Sequence, residues 1–239
     1  MKTESRLLRF ERALEKLARF VTWILASVAL LLLWLVSELS NSLFDRPATA
    51  PNAILRIDQS ILIAVSRWRR PWLNGIAVDI TALGTPTLLA LFTMLALGAA
   101  LANKQRLSAL HLLIASSGAA LFNLGLKALV TRPRPTEVLR LVNVAGYSYP
   151  SGHSMGSAAI LSTFAMVSWR YVRRPIHRLA ITLIALGLIG LIGMSRIYLG
   201  VHYPSDVAAG IALGIAWAML LEVIVRHLRT RALRAPNGG

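Results

Sequence analysis

Three short polar blocks break an otherwise apolar chain: KALVTRPRP at 127–135, YPSGHS at 149–154 and SRIYLGVHYPSD at 195–206. The third holds the most specific pairing. His202 and Asp206 are four residues apart, a spacing that stacks two side chains on one helical face, and Pro204 between them suits the first turn of a helix. The carboxylate can hold one imidazole nitrogen and leave the other free to attack an electrophile. The same pair would also serve a structural purpose, with Asp206 capping a helix and His202 packing beneath lipid headgroups. Taken alone, the spacing leaves both readings open. Arg196 in the same block adds a cation.

The first block supplies more positive charge. Arg132 and Arg134 each precede a proline, which pushes both out of helical geometry, so a helix carrying Lys127 should end near Thr131 and leave Arg134 on extended chain beyond it. Cations that fold back on one another repel unless an anion lies between them, and the guanidinium fork matches phosphate oxygens. Lys and Arg near the ends of membrane spans also snorkel to the headgroups, and that alternative stays open for this block by itself. In the second block, Pro150 and Ser151 suit the start of a helix, and Gly152 lets a ligand approach the backbone. Free N–H groups and the helix dipole make such a start an anion site, beside which His153 stands.

These blocks must be positioned by membrane helices. Of the 239 residues, 56% are apolar and only 15% are charged, and the mean hydropathy is +0.61, too apolar for an ordinary soluble domain. Residues Phe20–Leu39 form a 20-residue stretch whose only charge, Glu38, lies at its end, long enough for the ~30 Å hydrocarbon core. The run is long for a signal-peptide core, so a retained span is expected. Pro86–Ala102, Leu107–Val130, Ser154–Trp169, Leu179–Met194 and Val207–Val225 complete six expected crossings. Several are rich in Gly and Ala, which suits close helix packing in lipid. With no cysteine, disulfides, thiolate metal sites and Cys nucleophiles are excluded.

Orientation follows from the cations. With the N-terminus inside, 16 of the 26 Lys and Arg residues fall on cytoplasmic segments, so both termini are expected in the cytoplasm. The formal charge of +16 is thereby spread over inner loops, which removes most of the case for nucleic acid. On this topology all three polar blocks fall at outer helix ends and can share one pocket. His111, His177 and His227 fall toward the inner side and cannot join it. The expected organisation is an amphipathic cytoplasmic arm at 1–19, one membrane domain at 20–225 and a basic cytoplasmic tail at 226–239. Within the long connection from Ser40 to Thr85, Ile54–Trp68 has the pattern of an interfacial helix. No set of carboxylates or histidines has metal-ligand spacing, and no cofactor is expected.

Together the blocks read K-x6-R-P (Lys127, Arg134, Pro135), P-S-G-H (Pro150, Ser151, Gly152, His153) and S-R-x5-H-x3-D (Ser195, Arg196, His202, Asp206). This resembles the type 2 phosphatidic acid phosphatase (PAP2) superfamily, in the family's order, over residues 127–206. The resemblance implies an all-α, six-span bundle of the family's membrane branch, with its active site at the outer membrane interface. It also implies a metal-independent phosphatase acting on lipid phosphates through a phosphohistidine. Carried over, His202 would be the nucleophile, Asp206 its orienting partner and His153 the acid that protonates the departing oxygen. Lys127, Arg134, Ser151, Gly152 and Arg196 would hold the phosphoryl oxygens. Undecaprenyl pyrophosphate, phosphatidate, phosphatidylglycerol phosphate and lipid A phosphates are candidate substrates, and a bacterial inner membrane is the expected location. A lipid flippase and a vanadate haloperoxidase are the rival readings, distinguished by phosphate release and by bromide oxidation.

Overall fold

The computed structural model describes residues 2–44 and 53–234, with side chains described for Lys16 and from Arg19 as far as Arg231. The described regular structure is helical throughout: α1 (Lys2–Phe44), α2 (Ala53–Ser66), α3 (Pro71–Ala82), α4 (Pro86–Ala102), α5 (Arg106–Val130), α6 (Gly152–Ser168), α7 (Pro175–Tyr198) and α8 (Pro204–Arg234). The all-α expectation therefore holds. Proline opens α3, α4, α7 and α8, where its missing N–H costs nothing and its fixed φ is already helical. Thr85 caps α4 by accepting from the Leu88 amide at 3.4 Å.

Among the described residues, four helices are long and apolar enough to cross a bilayer: Arg19–Phe44, Arg106–Val130, Pro175–Tyr198 and Pro204–Arg231. A fifth crossing arises if α3 and α4, bent by 45° at the break between them, are taken as one. Their outer surfaces are apolar, with Trp23 72% exposed and Leu121 69% exposed, the inverse of a water-soluble surface. Helix α6, 17 residues long, is the most enclosed element and packs against α8, α7, α5 and α4. Small residues, Ser154, Ser157, Ala158, Ala159 and Thr163, make up much of its buried surface, beside Met155, Ile160 and Val167.

That small face lets α8 come very close. A β-carbon on Gly210 would lie 2.7 Å from the Ser151 carbonyl oxygen, so the α8 backbone rests directly on the start of α6. The Ser151 amide in turn donates to the Asp206 carbonyl at 3.0 Å. The two helix starts that carry the second and third polar blocks are therefore joined backbone to backbone.

Other contacts bring further helix ends to the same place. Ser40 at the end of α1 meets the Tyr149 hydroxyl at 2.8 Å, and Thr81 at the end of α3 accepts from Arg196 at 2.8 Å. Gly84, just before α4, lies against His153. The C-terminal ends of α1, α5 and α7 thus meet the N-terminal ends of α4, α6 and α8. Helix α2 matches the element expected at Ile54–Trp68, but Asp58 and Leu62 are buried, so it is clamped onto this end of the bundle. Helix α3 was not expected. Helix α1 runs unbroken through residue 19, although most side chains of the arm expected at 1–19, and residues 235–239 of the expected tail, lie outside the described set.

Candidate active site

Helix α5 ends at Thr131, as the prolines beyond it predict, and Thr131 itself takes a left-handed conformation, φ 41°, that a β-branched residue rarely adopts. Extended chain follows, and Ser148 holds it by donating from its backbone amide to the Arg132 carbonyl at 2.8 Å and from its hydroxyl to the Pro133 carbonyl at 2.9 Å. Helix α7 stops at Tyr198, and Gly200, with φ 75°, reverses the chain. A β-carbon there would press on Arg69 and on the Leu139 carbonyl, so the turn needs glycine for both conformation and space. This reversal delivers His202 immediately before α8.

His202 is 2% exposed. Its Nε2 lies 3.2 Å from Nη1 of Arg134, and its Nδ1 lies 3.5 Å from Oδ2 of Asp206. A guanidinium can only donate, so Nε2 carries the lone pair and the proton sits on Nδ1, toward the carboxylate. This is the tautomer that an imidazole nucleophile needs. Burial, reinforced by Arg196 and Arg134 and opposed by Asp206, lowers the His202 pKa to about 4, so the ring is neutral at neutral pH.

Asp206 is fully buried and held on both oxygens. Arg132 Nη1 donates to Oδ1 at 2.6 Å, and the Tyr203 amide donates to Oδ2 at 2.9 Å. Arg132 also reaches Asp58 of α2, Nη2 to Oδ2, at 2.9 Å, and its guanidinium lies 4.2 Å above the Tyr203 ring. Burial works against the Arg132 charge, but Asp206 and Asp58 outweigh it and raise its pKa above the ordinary arginine value. Asp58 and Asp206 are thus engaged by one arginine.

The remaining cations are held differently. Lys127 donates to the Tyr147 carbonyl at 2.5 Å. Arg134 donates to the carbonyls of Gly146 at 3.0 Å, Ala145 at 3.0 Å and Val201 at 2.9 Å. Arg196, 3% exposed, donates from Nη1 to the Thr81 hydroxyl, while its Nε is buried with no partner. Among the described residues, none of the three has a carboxylate within ion-pair distance. His153 is half-buried and close enough to Arg196, His202, Arg134 and Lys127 to feel each of their charges. Ser151 caps α6, its Oγ accepting from the Ser154 amide at 3.4 Å. A β-carbon on Gly152 would lie 2.9 Å from the Asn123 side chain, so a larger residue would displace that amide.

Every residue expected at the site is therefore brought to one end of the bundle: His202, His153, Asp206, Lys127, Arg134, Ser151, Gly152 and Arg196. His111 is excluded, as its position implied; it lies at the opposite end with Arg170 and Glu222. Three contributors went unread in the sequence: Asp58, Ser205, and Thr81, the acceptor for Arg196. Arg132 was noted only as a neighbour of proline. Asp58 alone offered a signal, as an acidic residue on the apolar pattern of a short helix.

An arrangement in which a buried neutral imidazole, a second histidine and three uncompensated cations converge is suited to holding a phosphoryl group and attacking it. Comparison with known proteins agrees. The model of the PAP2 superfamily matches residues 88–229. Phosphatidylglycerophosphatase B of Bacillus subtilis is 34% identical over 175 residues, which is 72% of this chain and 84% of that protein. The lipid A 1-phosphatase of Rhizobium johnstonii is 45% identical over 78 residues, covering 33% of this chain and 28% of that one. The crystal structure of a transmembrane PAP2-type phosphatidylglycerolphosphate phosphatase from Bacillus subtilis superposes with a TM-score of 0.75 at 28% identity, over 87% of this chain and 98% of that chain. With the family model matching more than half of the chain, a phosphatase relative covered over most of its length and a shared helical fold, the chain belongs to the PAP2 superfamily, as a membrane phosphatase.

Proposed function

We propose that the chain hydrolyses a lipid phosphate or pyrophosphate by forming a phosphohistidine on His202. The observation that carries this reading is the set of three cations at this end, Lys127, Arg134 and Arg196, each resting on neutral acceptors, with Arg134 at the lone pair of His202. A phosphate dianion entering there meets positive charge that no carboxylate pairs with at ion-pair distance among the described residues. Its three equatorial oxygens take the charge that builds during transfer, which is where fixed donors lower the barrier.

Attack requires the Arg134 guanidinium to pass from Nε2 of His202 onto a phosphoryl oxygen. Nε2 then bonds to phosphorus as the bond from phosphorus to the lipid oxygen breaks. The proton on Nδ1 stays directed at Asp206, which stabilises the charged ring. The bound phosphate dianion offsets the cations around His153 and lets the ring hold a proton, which it gives to the departing lipid oxygen. In the second half, His153 takes a proton from water, the water oxygen bonds to phosphorus, the P–N bond breaks, and inorganic phosphate leaves. Cationic side chains and the free amides at the start of α6 supply the charge neutralisation, so turnover persists in EDTA.

The lipid reading rests on the apolar outer surfaces beside the site, which let acyl or prenyl tails approach from within the bilayer. The substrate class is undecaprenyl pyrophosphate, phosphatidate, phosphatidylglycerol phosphate or a lipid A phosphate, with undecaprenyl pyrophosphate or a glycerophospholipid phosphate preferred. Alternating helix directions support six crossings, with 20–225 as the membrane domain. The basic arm at 1–19 and the tail at 226–239 lie on the cytoplasmic side, and the site faces outward, across a bacterial inner membrane.

Purified protein assayed in detergent with EDTA against that panel should release inorganic phosphate. It should also trap acid-labile label from a ³²P-labelled substrate. A protein that moves lipid but releases no phosphate would overturn the reading. The cysteine-free chain suits topology labelling: a single Cys at Arg140 should react from the outer side, and labelling only from the cytoplasmic side would reverse the orientation.

A further inference from the structure

Asp58 lies outside all three sequence blocks, and α2 precedes the region matched to the family model. It is nonetheless 2% exposed, and all its described contacts run to residues that hold Asp206. Its Oδ1 accepts from the Ser205 backbone amide at 2.9 Å, and its Oδ2 accepts from Arg132 and, in a short contact, from the Ser205 hydroxyl. The Ser205 amide is one of the N–H groups that the first turn of α8 leaves without a partner in its own helix. Asp58 thus caps, from another helix, the turn that carries Asp206.

It also fixes the arginine that grips Asp206. A guanidinium held by one carboxylate can still swing about that contact. Here the planar fork is pinned by carboxylates on two helices, Asp58 and Asp206, with the Ser205 hydroxyl accepting at 2.8 Å and the Tyr203 ring beneath it. A carboxylate buried this deeply loses much of its hydration, so the arrangement adds little net stability beyond what an apolar packing would give; what it supplies is a fixed orientation. We propose that Asp58 is a positioning residue of the phosphatase: acting through Arg132 and Ser205, it sets the Asp206 carboxylate and so aims the His202 imidazole. This rests on His202 being the nucleophile.

Asp58 makes no contact with Lys127, Arg134, Arg196 or His153 among its described bonds, so its loss should slow the chemical step and spare binding. Asp58→Asn keeps the volume and an acceptor for the Ser205 amide but removes the charge facing Arg132. In detergent, kcat should fall about tenfold, the scale of one charged hydrogen bond, with KM within about twofold of wild type. Arg132→Gln should cost more, about a hundredfold. The double variant should be no slower than Arg132→Gln alone, because the two act in series; a general structural role for Asp58 would make the losses multiply. Ser205→Ala, a milder change at the shared hydroxyl, should lower kcat by about threefold with KM unchanged.

Wild-type kcat in folded Asp58→Asn, or multiplying losses in the double variant, overturns the proposal. If Asp58→Asn fails to yield a monodisperse protein, unchanged kcat in Ser205→Ala overturns it instead. His202→Ala separates the two levels. If it keeps turnover and labelling, the nucleophile assignment falls and the positioning role with it. If it is inactive while Asp58→Asn turns over at the wild-type rate, only the positioning role falls.

Discussion

At one end of the bundle lie His202, Arg134 and Asp206; at the other lie His111, Arg170 and Glu222. Each set has a buried histidine near an arginine and a carboxylate, and the distances are alike: His202 to Asp206 is 3.5 Å and His111 to Glu222 is 3.7 Å. The difference lies in what the carboxylate holds. Glu222, 2% exposed, takes Arg170 in a short contact and Arg226 at 2.8 Å, while Arg170 and Arg229 share the Ser108 hydroxyl. The cations there neutralise an acid or share a hydroxyl, and the cluster ties α5, α6 and α8 together. At the site end, Asp58 and Asp206 are both spent on Arg132, so Lys127, Arg134 and Arg196 keep their charge for a ligand. Residue types alone do not mark a phosphate site; the partners of each charge do.

The histidines test this contrast most severely. His202→Ala should lower kcat by at least about 10³-fold, since no other group replaces a covalent nucleophile, and should abolish the trapped phosphoenzyme. His111→Ala, at the opposite end, should leave kcat within about threefold of wild type and retain the label, as expected away from a reacting group. A dead His111→Ala that remains folded would erase the distinction between the two ends.

The cations come next. On the proposed mechanism Arg196→Ala and Lys127→Met each remove a fixed donor from the phosphoryl oxygens and should cost about 10²-fold in kcat/KM, the scale for a lost oxyanion donor. Arg226→Ala, whose charge is already paired with Glu222, should change kcat/KM by less than about threefold. Steady-state kinetics in one detergent compare all three. Equal losses would mean that the pairing pattern carries no functional information.

The pH profile sharpens the picture of the site end. In the proposed reaction His202 attacks as the neutral base, and burial holds its pKa at about 4 rather than 6.5. Protonation, and with it the loss of the nucleophile, should set in only as the pH falls through about 4. As far as this group is concerned, kcat/KM should be flat from neutrality down to about pH 5, be about halved near pH 4 and drop about tenfold per unit below that. The second ionisation of a monoester phosphate, about 6, is corrected by titrating the lipid alone. An acid limb near 6.5 after that correction would place His202 in a hydrated environment and contradict its burial.

How much of this was legible in the sequence follows from the same physics. The helices were readable because apolar length and terminal prolines act locally, and Pro133, Ser151 and Pro204 close or open helices where their types require. His202 and Asp206 were readable because four residues make one helical turn. The Arg132–Asp58 link was not, since its partners are 74 residues apart and only the docking of α2 makes them neighbours. The close seating of α8 on α6 through Gly210 was legible only as Gly and Ala richness; which backbone the glycine meets is a tertiary fact. Helix α3 was missed because its residues include Asn74 and Asp79, which broke the apolar run that marks a crossing.

Glu222 carries the contrast to its other limit, where stability should move and catalysis should not. Glu222→Ala strips Arg170 and Arg226 of their shared partner and leaves the Arg170 charge, 12% exposed, facing His111 in a buried cluster. Removing one member of a buried ion cluster costs about 3 kcal/mol, on the order of 10 °C in Tm for a domain of this size. Thermal unfolding in detergent should show that loss. Assayed well below the new Tm, kcat should stay within about twofold of wild type, because the cluster touches none of the groups that hold phosphate and sits at the far end of α8 from Asp206. If kcat fell by the factor seen for Asp58→Asn, then α8 would transmit strain along its length, and the two ends would be parts of one device. A large fall in Tm with kcat unchanged would establish that one end fastens the bundle and the other does its chemistry.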